Sequence, residues 1–355
     1  MWLATLELRD LRNLREVDLE LSGGLNVFVG RNAQGKTSVL EGVGLIARGR
    51  SFRTDRLPAL IRRGTTTARA GGRVVSPERE CRLGVHVTGE RRRLSVDGAA
   101  VRPRDYAGRF EVGVYSTDRL RVVRGTMRDR RQFVDRSAGA LWPVYRRLGR
   151  DYERVLRQRN AALESGGRDL GAWTDGLISV GAELRQRRSD YVRLLQEQLR
   201  GGYGPEGERY AIRASPDLGA SAEPAQREHL AEELSARAGA ERGARRSLAG
   251  PHRDPILLAI EGEETDTASS GQQRSLLLAL TLASLEVYRR ETGSRAVTLL
   301  DDLDSELDER RAGALCERVA RDGQALVTTA HRAWVDGIGL PVRTFLVEGG
   351  RVVAA

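Results

Sequence analysis

Residues 25–38, Leu25-Asn-Val-Phe-Val-Gly-Arg-Asn-Ala-Gln-Gly-Lys-Thr-Ser38, restrict the fold more than any other stretch. The apolar run at 25–29 predicts a buried strand. Gly30, four further residues and Gly35-Lys36-Thr37 then make the phosphate-binding pattern G-x-x-x-x-G-K-[ST]. Residues 38–47 predict a helix, despite Gly42 and Gly44. Strand, glycine loop and helix are the context that the pattern needs. Gly30 and Gly35 let the backbone turn tightly and aim N–H groups inward, and the helix N-terminus adds positive dipole. The candidate nucleotide contacts are therefore Gly30, Arg31, Asn32, Ala33, Gln34, Gly35, Lys36, Thr37 and Ser38. Lys36 would reach the β- and γ-phosphates, and the Thr37 hydroxyl would ligate Mg²⁺.

Lys36 is also the only lysine among the 59 lysines and arginines of the chain. This slot needs a compact ammonium on a flexible stem, which a planar guanidinium does not replace.

The 355 residues suffice for two domains, or one large domain with an insertion. A net charge of +10 points to a polyanionic partner, nucleic acid before membrane, or to a solvated arginine-rich surface. Cys81 and Cys316 stand alone, with no zinc spacing, which fits a reducing compartment. No signal-peptide pattern or membrane-length apolar run is visible, so the expectation is a soluble, cytoplasmic protein.

Along the chain, residues 1–29 predict two strands ahead of the loop strand, with a turn at 10–14 and the second strand from Val17. Arg12 and Asn13 lie at the end of the first; they form a polar turn or approach the phosphates. Short strands are expected at 73–75, 81–87, 93–96 and 112–115, with a hairpin signal at Asp97-Gly98. The clusters Arg62-Arg63 and Arg91-Arg-Arg93 are a solvated face or a track for DNA. Residues 141–163 and 170–199 carry apolar residues at helical spacing, separated by Gly166-Gly167. They predict an antiparallel helical hairpin within a lobe at 119–200. Further on, 210–214 and 255–260 suggest strands and 223–241 a helix.

Chemistry returns near the C-terminus. Ala268-Ser-Ser-Gly-Gln-Gln-Arg-Ser275 opens a helix, in the manner of many capped helices. The strand 296–300 ends in Asp301-Asp302, the acidic end that pairs with a phosphate loop. Asp301 would hold Mg²⁺ through water, and Asp302 would polarise the attacking water. Ser305-Glu-Leu-Asp308 follows. His331 lies just beyond the strand 325–329; such a histidine is usually structural, but the order of motifs places it at the γ-phosphate.

That ordered set resembles the ABC-type ATPases. More closely, the chain resembles the RecF-like family in their SMC-like branch. The residues that carry this are 30–37, Arg245-Arg-Ser-Leu-Ala-Gly-Pro-His-Arg-Asp254, Ser270-Gly-Gln-Gln-Arg274 and Leu299-Leu-Asp-Asp-Leu-Asp-Ser-Glu-Leu-Asp308. The resemblance implies an α/β fold: an ABC-type ATPase head, a P-loop mixed sheet with an antiparallel β subdomain, from 1–118 and 201–355. The helical lobe at 119–200 is inserted in it. It implies ATP and Mg²⁺ as cofactors, with Lys36, Asp302 and His331 catalytic and Thr37 and Asp301 at the metal. Ser269, Ser270, Gly271 and Gln272 would form the signature loop that contacts the γ-phosphate held by a second subunit. The implied activity is slow, DNA-dependent ATP hydrolysis by an ATP-driven homodimer that binds single- and double-stranded DNA at gaps. It would act in recombinational repair and replication restart with RecR and RecO, helping to load RecA, and with no membrane partner.

The chain also departs from that pattern. Asp302 stands where transporter ATPases have glutamate, and Tyr115-Ser-Thr-Asp118 occupies the Q-loop region without a clear glutamine. Ala268 replaces the usual signature leucine. Two other readings are an ATPase subunit of a transporter, and a nucleotide-gated DNA clamp with incidental hydrolysis.

Overall fold

A computed structural model describes residues 1–166, 169–201, 208–217, 223–303 and 309–355. Contacts divide the chain into two units, Met1–Arg119 with Tyr288–Ala355, and Leu120–Val287. The expected lobe at 119–200 lies in the second unit from Leu120 on, and that unit continues to Val287.

The first unit holds a six-stranded sheet in the order Arg351–Ala354, Val342–Glu348, Leu25–Val29, Ala325–Thr329, Val297–Leu300, Val112–Tyr115. Its pairings are parallel except for the terminal hairpin. Leu25–Val29, Val297–Leu300 and Ala325–Thr329 are buried at every position. Such unbroken burial belongs to parallel strands covered on both faces. A second, seven-stranded sheet is antiparallel, and most of its strands alternate buried with exposed side chains, as in Glu80–Thr88. Asp97 and Gly98 turn one hairpin with φ of 50° and 83° and set Val96 opposite Ala99. Positive φ at both turn residues suits the right-handed twist of the flanking strands.

The helix Lys36–Arg48 joins the two sheets through one core. Leu6 and Leu8 of the antiparallel sheet, Val39, Val43 and Ile46 of the helix, and Phe28, Val297 and Leu326 of the parallel sheet belong to the same buried cluster. Each such side chain contributes roughly 1.5–3 kcal/mol on burial. A glycine inside a helix costs about 1 kcal/mol, yet a Cβ on Gly42 would stand 2.5 Å from Leu8 Cδ2. Close approach of helix to sheet explains that glycine.

Two strands differ from the sequence expectation. The second strand is Leu14–Glu20, starting before Val17, because the turn is only Arg12-Asn13 and Leu11 already pairs with Leu14. The strand expected at 73–75 runs from Thr67 to Val75. Its Ala- and Gly-rich first half has weak strand propensity and is held by ladders on both sides.

The second unit contains helices Met127–Leu141, Pro143–Glu164, Leu170–Leu199 and Glu223–Ala244, and the first part of Ser270–Thr292. Pro143 begins its helix at the first turn, where its missing N–H costs nothing. Arg159 meets Thr174, Gly181 lies against Tyr152, and Arg188 meets Tyr145, so the hairpin is antiparallel. Tyr210–Ala214 and Ile256–Ile260 pair as antiparallel strands. Gly167 and the Ser305-Glu-Leu-Asp308 segment lie outside the described residues.

Candidate nucleotide site

The carboxyl ends of the parallel strands align, since Leu300 is level with Tyr115 and Val327, and Val29 with Thr329. Open parallel sheets bind ligands at this edge. Here it gathers Gly30, Ser116, Asp301 and Thr328, each just past or at the end of its strand.

The glycine loop is held from several sides. A Cβ on Gly30 would lie 2.2 Å from Val347 O, so only glycine fits there. Gln34 Oε1 accepts from Gly349 N at 2.7 Å, and Gln34 O from Gly350 N at 3.2 Å, tying the loop to the C-terminal hairpin. Asn13 Nδ2 donates to Ala33 O at 3.4 Å, and Asn13 Oδ1 accepts from Ser38 Oγ at 2.9 Å. Lys36 is buried, and its ammonium donates to Gly30 O at 2.6 Å, Arg31 O at 3.2 Å and Asn32 Oδ1 at 3.4 Å.

Arg12 takes neither of its two expected roles alone. It turns the chain with φ of 59°, and its guanidinium grips buried Glu41 through Nε and Nη2, both at 2.7 Å. Glu41 also accepts from Ser51 and pairs with Arg53, which donates to Asp118 at 2.5 Å. These side chains brace the loop helix.

Asp301 is the centre of the acidic end. Its Oδ1 accepts from Thr37 Oγ1 at 3.0 Å and from Thr328 Oγ1 at 2.8 Å, and its Oδ2 from Ser116 Oγ at 3.1 Å. Burial raises its carboxyl pKa, and the three hydroxyl hydrogen bonds oppose that rise. Asp302 follows with φ of 54°, and its N–H donates to Thr328 Oγ1 at 2.8 Å. A non-glycine residue in the left-handed region stores strain, a frequent mark of functional positions. Thr329 Oγ1 accepts from the His331 N–H at 3.0 Å and from Trp334 Nε1 at 3.1 Å, which fixes the chain at exposed His331. Lys36, Thr37, Asp301, Asp302 and His331 all belong to the first unit.

Sequence reasoning did not find Ser116, Thr328 or Glu41. A usable signal existed for the first two: each is a hydroxyl residue at the carboxyl end of an apolar strand. Glu41 gave none, because a glutamate in a helix is ordinarily solvated.

The signature segment lies in the second unit. Ser269 Oγ accepts from Gln272 N at 3.2 Å, while Gln272 Oε1 accepts from Ser269 N at 3.0 Å. This reciprocal pair is a capping box, and it presents Ser270 and Gly271 exposed at the helix start.

The Gly-Pro-His-Arg-Asp segment is built into the same unit. Asp254 receives Arg185 in two bonds of 2.7 Å, and Pro251 O receives Arg188 at 2.7 Å. Tyr152 OH lies 2.7 Å from His252 Nδ1, while His252 Nε2 faces Ser247 O at 3.3 Å. A carbonyl can only accept, so Nε2 carries the proton and Nδ1 accepts from Tyr152. Burial lowers the His252 pKa, consistent with a neutral ring. The motif is thus a clasp on the helical hairpin.

Comparison with known proteins gives the family. The model for the RecF/RecN/SMC N terminal domain matches residues 2–352. The DNA replication and repair protein RecF of Anaeromyxobacter sp. (strain Fw109-5) is 35% identical, over 99% of each chain. The chain belongs to the RecF family of DNA replication and repair proteins. RecF of Gloeobacter violaceus is likewise 35% identical, over 99% of this chain and 98% of its own. The solved structure of the recombination mediator protein RecF-ATP in the RecFOR pathway superposes with a TM-score of 0.91 at 25% identity, covering 100% of this chain and 99% of that one. RecF membership confirms the expected fold class, an ABC-type ATPase head with added helices.

Proposed function

We propose that this RecF-family chain is an ATP-dependent DNA-binding protein that dimerises around ATP and hydrolyses it slowly. The observation that carries this is the 3.0 Å contact between the Thr37 hydroxyl and Asp301, beside the loop that holds Lys36. Hydroxyl and carboxylate oxygens are the donors that a hard divalent cation prefers. Thr37 and Asp301 would hold Mg²⁺, which neutralises charge on the β- and γ-phosphates. Lys36 exchanges its loop carbonyls for phosphate oxygens, and the loop N–H groups cradle the remainder. Asp302 orients and polarises the attacking water, and His331 contacts the γ-phosphate. Ser269, Ser270 and Gly271 of a second copy complete the site. The ATP-bound solved relative, its RecFOR pathway and the repair names of the others support ATP, DNA and RecR with RecO as partners. Among the described residues no helix is long and apolar enough to cross a membrane.

The test is solution mass by sedimentation, with and without ATP·Mg²⁺ and with DNA. A dimer that forms with ATP, persists with a non-hydrolysable analogue and retains DNA supports the reading. Nucleotide-independent mass and DNA retention would overturn it. Release of DNA at equal rates with ATP and with the analogue would favour a clamp in which hydrolysis is incidental.

A further inference from the structure

The antiparallel sheet of the first unit turns a charged face outward, and register orders those charges into rows. Arg9 stands directly opposite Arg69, Arg69 opposite His86, and His86 opposite Arg93. Four residues along the strands, Arg73 stands opposite Arg82. Between these rows runs a line of little or no side chain, where Gly71 faces Gly84 and Gly84 faces Ser95. Along these rows lies a groove of about 450 Å³ lined by Glu7, Arg9, Arg69, Gly71, Arg82 and His86, among others, with Arg73 and Arg93 outside its lining.

Like charges directly opposite on a sheet are destabilising. This face carries two such pairs. Some of the arginines are neutralised: Arg9 by Asp18, Arg82 by Glu7 and Arg73 by Glu80. Arg69 and Arg93 are exposed and have no hydrogen-bond or ion-pair partner among the described residues. His86, between them, has an Nε2 with no hydrogen-bond partner among the described residues. An anion in this row would supply the counter-charge that the sheet lacks.

The dimensions select among anions. The two rows, through Arg69 and through Arg73, are four residues apart along one strand, about 13 Å at about 3.3 Å per residue. The row from Arg9 to Arg93 crosses four strands, about 14 Å at about 4.8 Å each. An open trough of this extent is wider than one small anion needs and narrower than a DNA duplex, so it suits a few successive phosphates of one strand.

We infer that this groove binds the phosphodiester backbone of single-stranded DNA, with Arg69 on its wall and Arg93, next beyond His86 in the same row, as the principal phosphate contacts. This rests on the DNA-binding reading above and adds where one strand lies. The nucleotide site has no part in it, since none of its residues lines the groove.

The test measures binding of a fluorescent oligothymidylate to the full chain over a range of salt. Arg69→Ser/Arg93→Ser removes two contacts, so the log–log salt slope falls by about 1.4, at about 0.7 per contact on single strands. Affinity falls with it, and ATP binding stays at the wild-type level. Arg69→Lys/Arg93→Lys restores most of the slope. Gly71→Leu fills the floor without changing charge and weakens single-strand binding. Arg104→Ser/Arg351→Ser, an equal charge loss elsewhere on this unit, leaves the slope unchanged. If wild type binds DNA and the groove variants match it in affinity and slope, the inference is wrong while the DNA-binding reading stands. Equal losses in the Arg104/Arg351 control, a loss confined to duplex DNA, or a groove that captures an acidic peptide in preference to the oligonucleotide would also overturn it. If wild type binds no DNA in any nucleotide state, the functional reading itself fails. Should the serine pair lose ATP binding as well, Gly71→Leu and the lysine pair decide.

Discussion

The Thr37 hydroxyl donates to Asp301 Oδ1 across 3.0 Å, although 264 positions separate the two residues in sequence. One belongs to the helix after the glycine loop, the other follows a strand near the C-terminus. Parallel pairing through the strand Ala325–Thr329, which lies between their strands, brings them together.

Asp301 should be a case where function and stability oppose each other. Its folded pKa is raised, so between the ordinary value near 3.8 and that raised value the folded state holds more protons than the unfolded one. Stability therefore falls as pH rises through this window, and the penalty is fully present above it. Asp301→Asn should raise the thermal midpoint of the metal-free protein at neutral pH and remove the extra stabilisation given by ATP·Mg²⁺. Thermal scans with and without Mg²⁺ check this; a midpoint several degrees lower would show that the charge is fully compensated.

Lys36→Met should abolish ATP binding, because it deletes the ammonium that faces the loop. Lys36→Arg should bind ATP and hydrolyse it poorly, since the guanidinium cannot occupy the same point. Titration with a fluorescent ATP analogue reads both variants. Unchanged affinity in Lys36→Met would remove the loop from the mechanism.

Asp302→Asn keeps a residue type that tolerates positive φ and loses the charge. It should fold normally, trap an ATP-bound dimer and lose turnover. Asp302→Val should also lose roughly 1–2 kcal/mol to backbone strain, since β-branched side chains fit the left-handed region badly. Phosphate release and denaturant melts separate the two effects. Wild-type turnover in Asp302→Asn would mean that another group positions the water.

Ser269 is a cap as well as a proposed contact to the partner's nucleotide. Ser269→Ala should cost about 1 kcal/mol through the lost cap and leave dimerisation largely in place. Ser269→Arg should leave monomer ATP binding nearly intact and abolish the ATP-driven dimer and hydrolysis. Sedimentation velocity beside a nucleotide titration tests both. A dimer of normal strength in Ser269→Arg would move the contact to Ser270 or away from this loop.

Asp254 holds buried Arg185 in the clasp of the helical unit. Removing one partner of a buried pair leaves an uncompensated charge and costs about 3–5 kcal/mol. Asp254→Ala should thus destabilise the second unit by that order, with little change in nucleotide affinity of the protein that remains folded. Urea melts monitored through Trp173, in this unit, supply the measurement; a loss below 1 kcal/mol would show that Glu233 alone suffices for Arg185.

The sequence determined the parts whose chemistry is local. The glycine spacing, Lys36 and Thr37 specify a phosphate loop because the loop's N–H groups and the helix start lie within a few residues of one another. The strand at 297–300 and its acidic end are legible because burial on both faces demands an unbroken apolar run. Helical periodicity gave the hairpin of 143–164 and 170–199 to within about two residues. Tertiary structure decided what depends on register and strand order. Ser116 and Thr328 became partners of Asp301 only when parallel strands aligned their carboxyl ends. Arg12, equally a turn or a phosphate residue by spacing, was committed to Glu41 by the packing of the loop helix on the antiparallel sheet. The rows Arg9–Arg69–His86–Arg93 and Arg73–Arg82 exist because cross-strand pairing is set by the whole sheet: a shift of one residue in any ladder would turn those side chains to the opposite face.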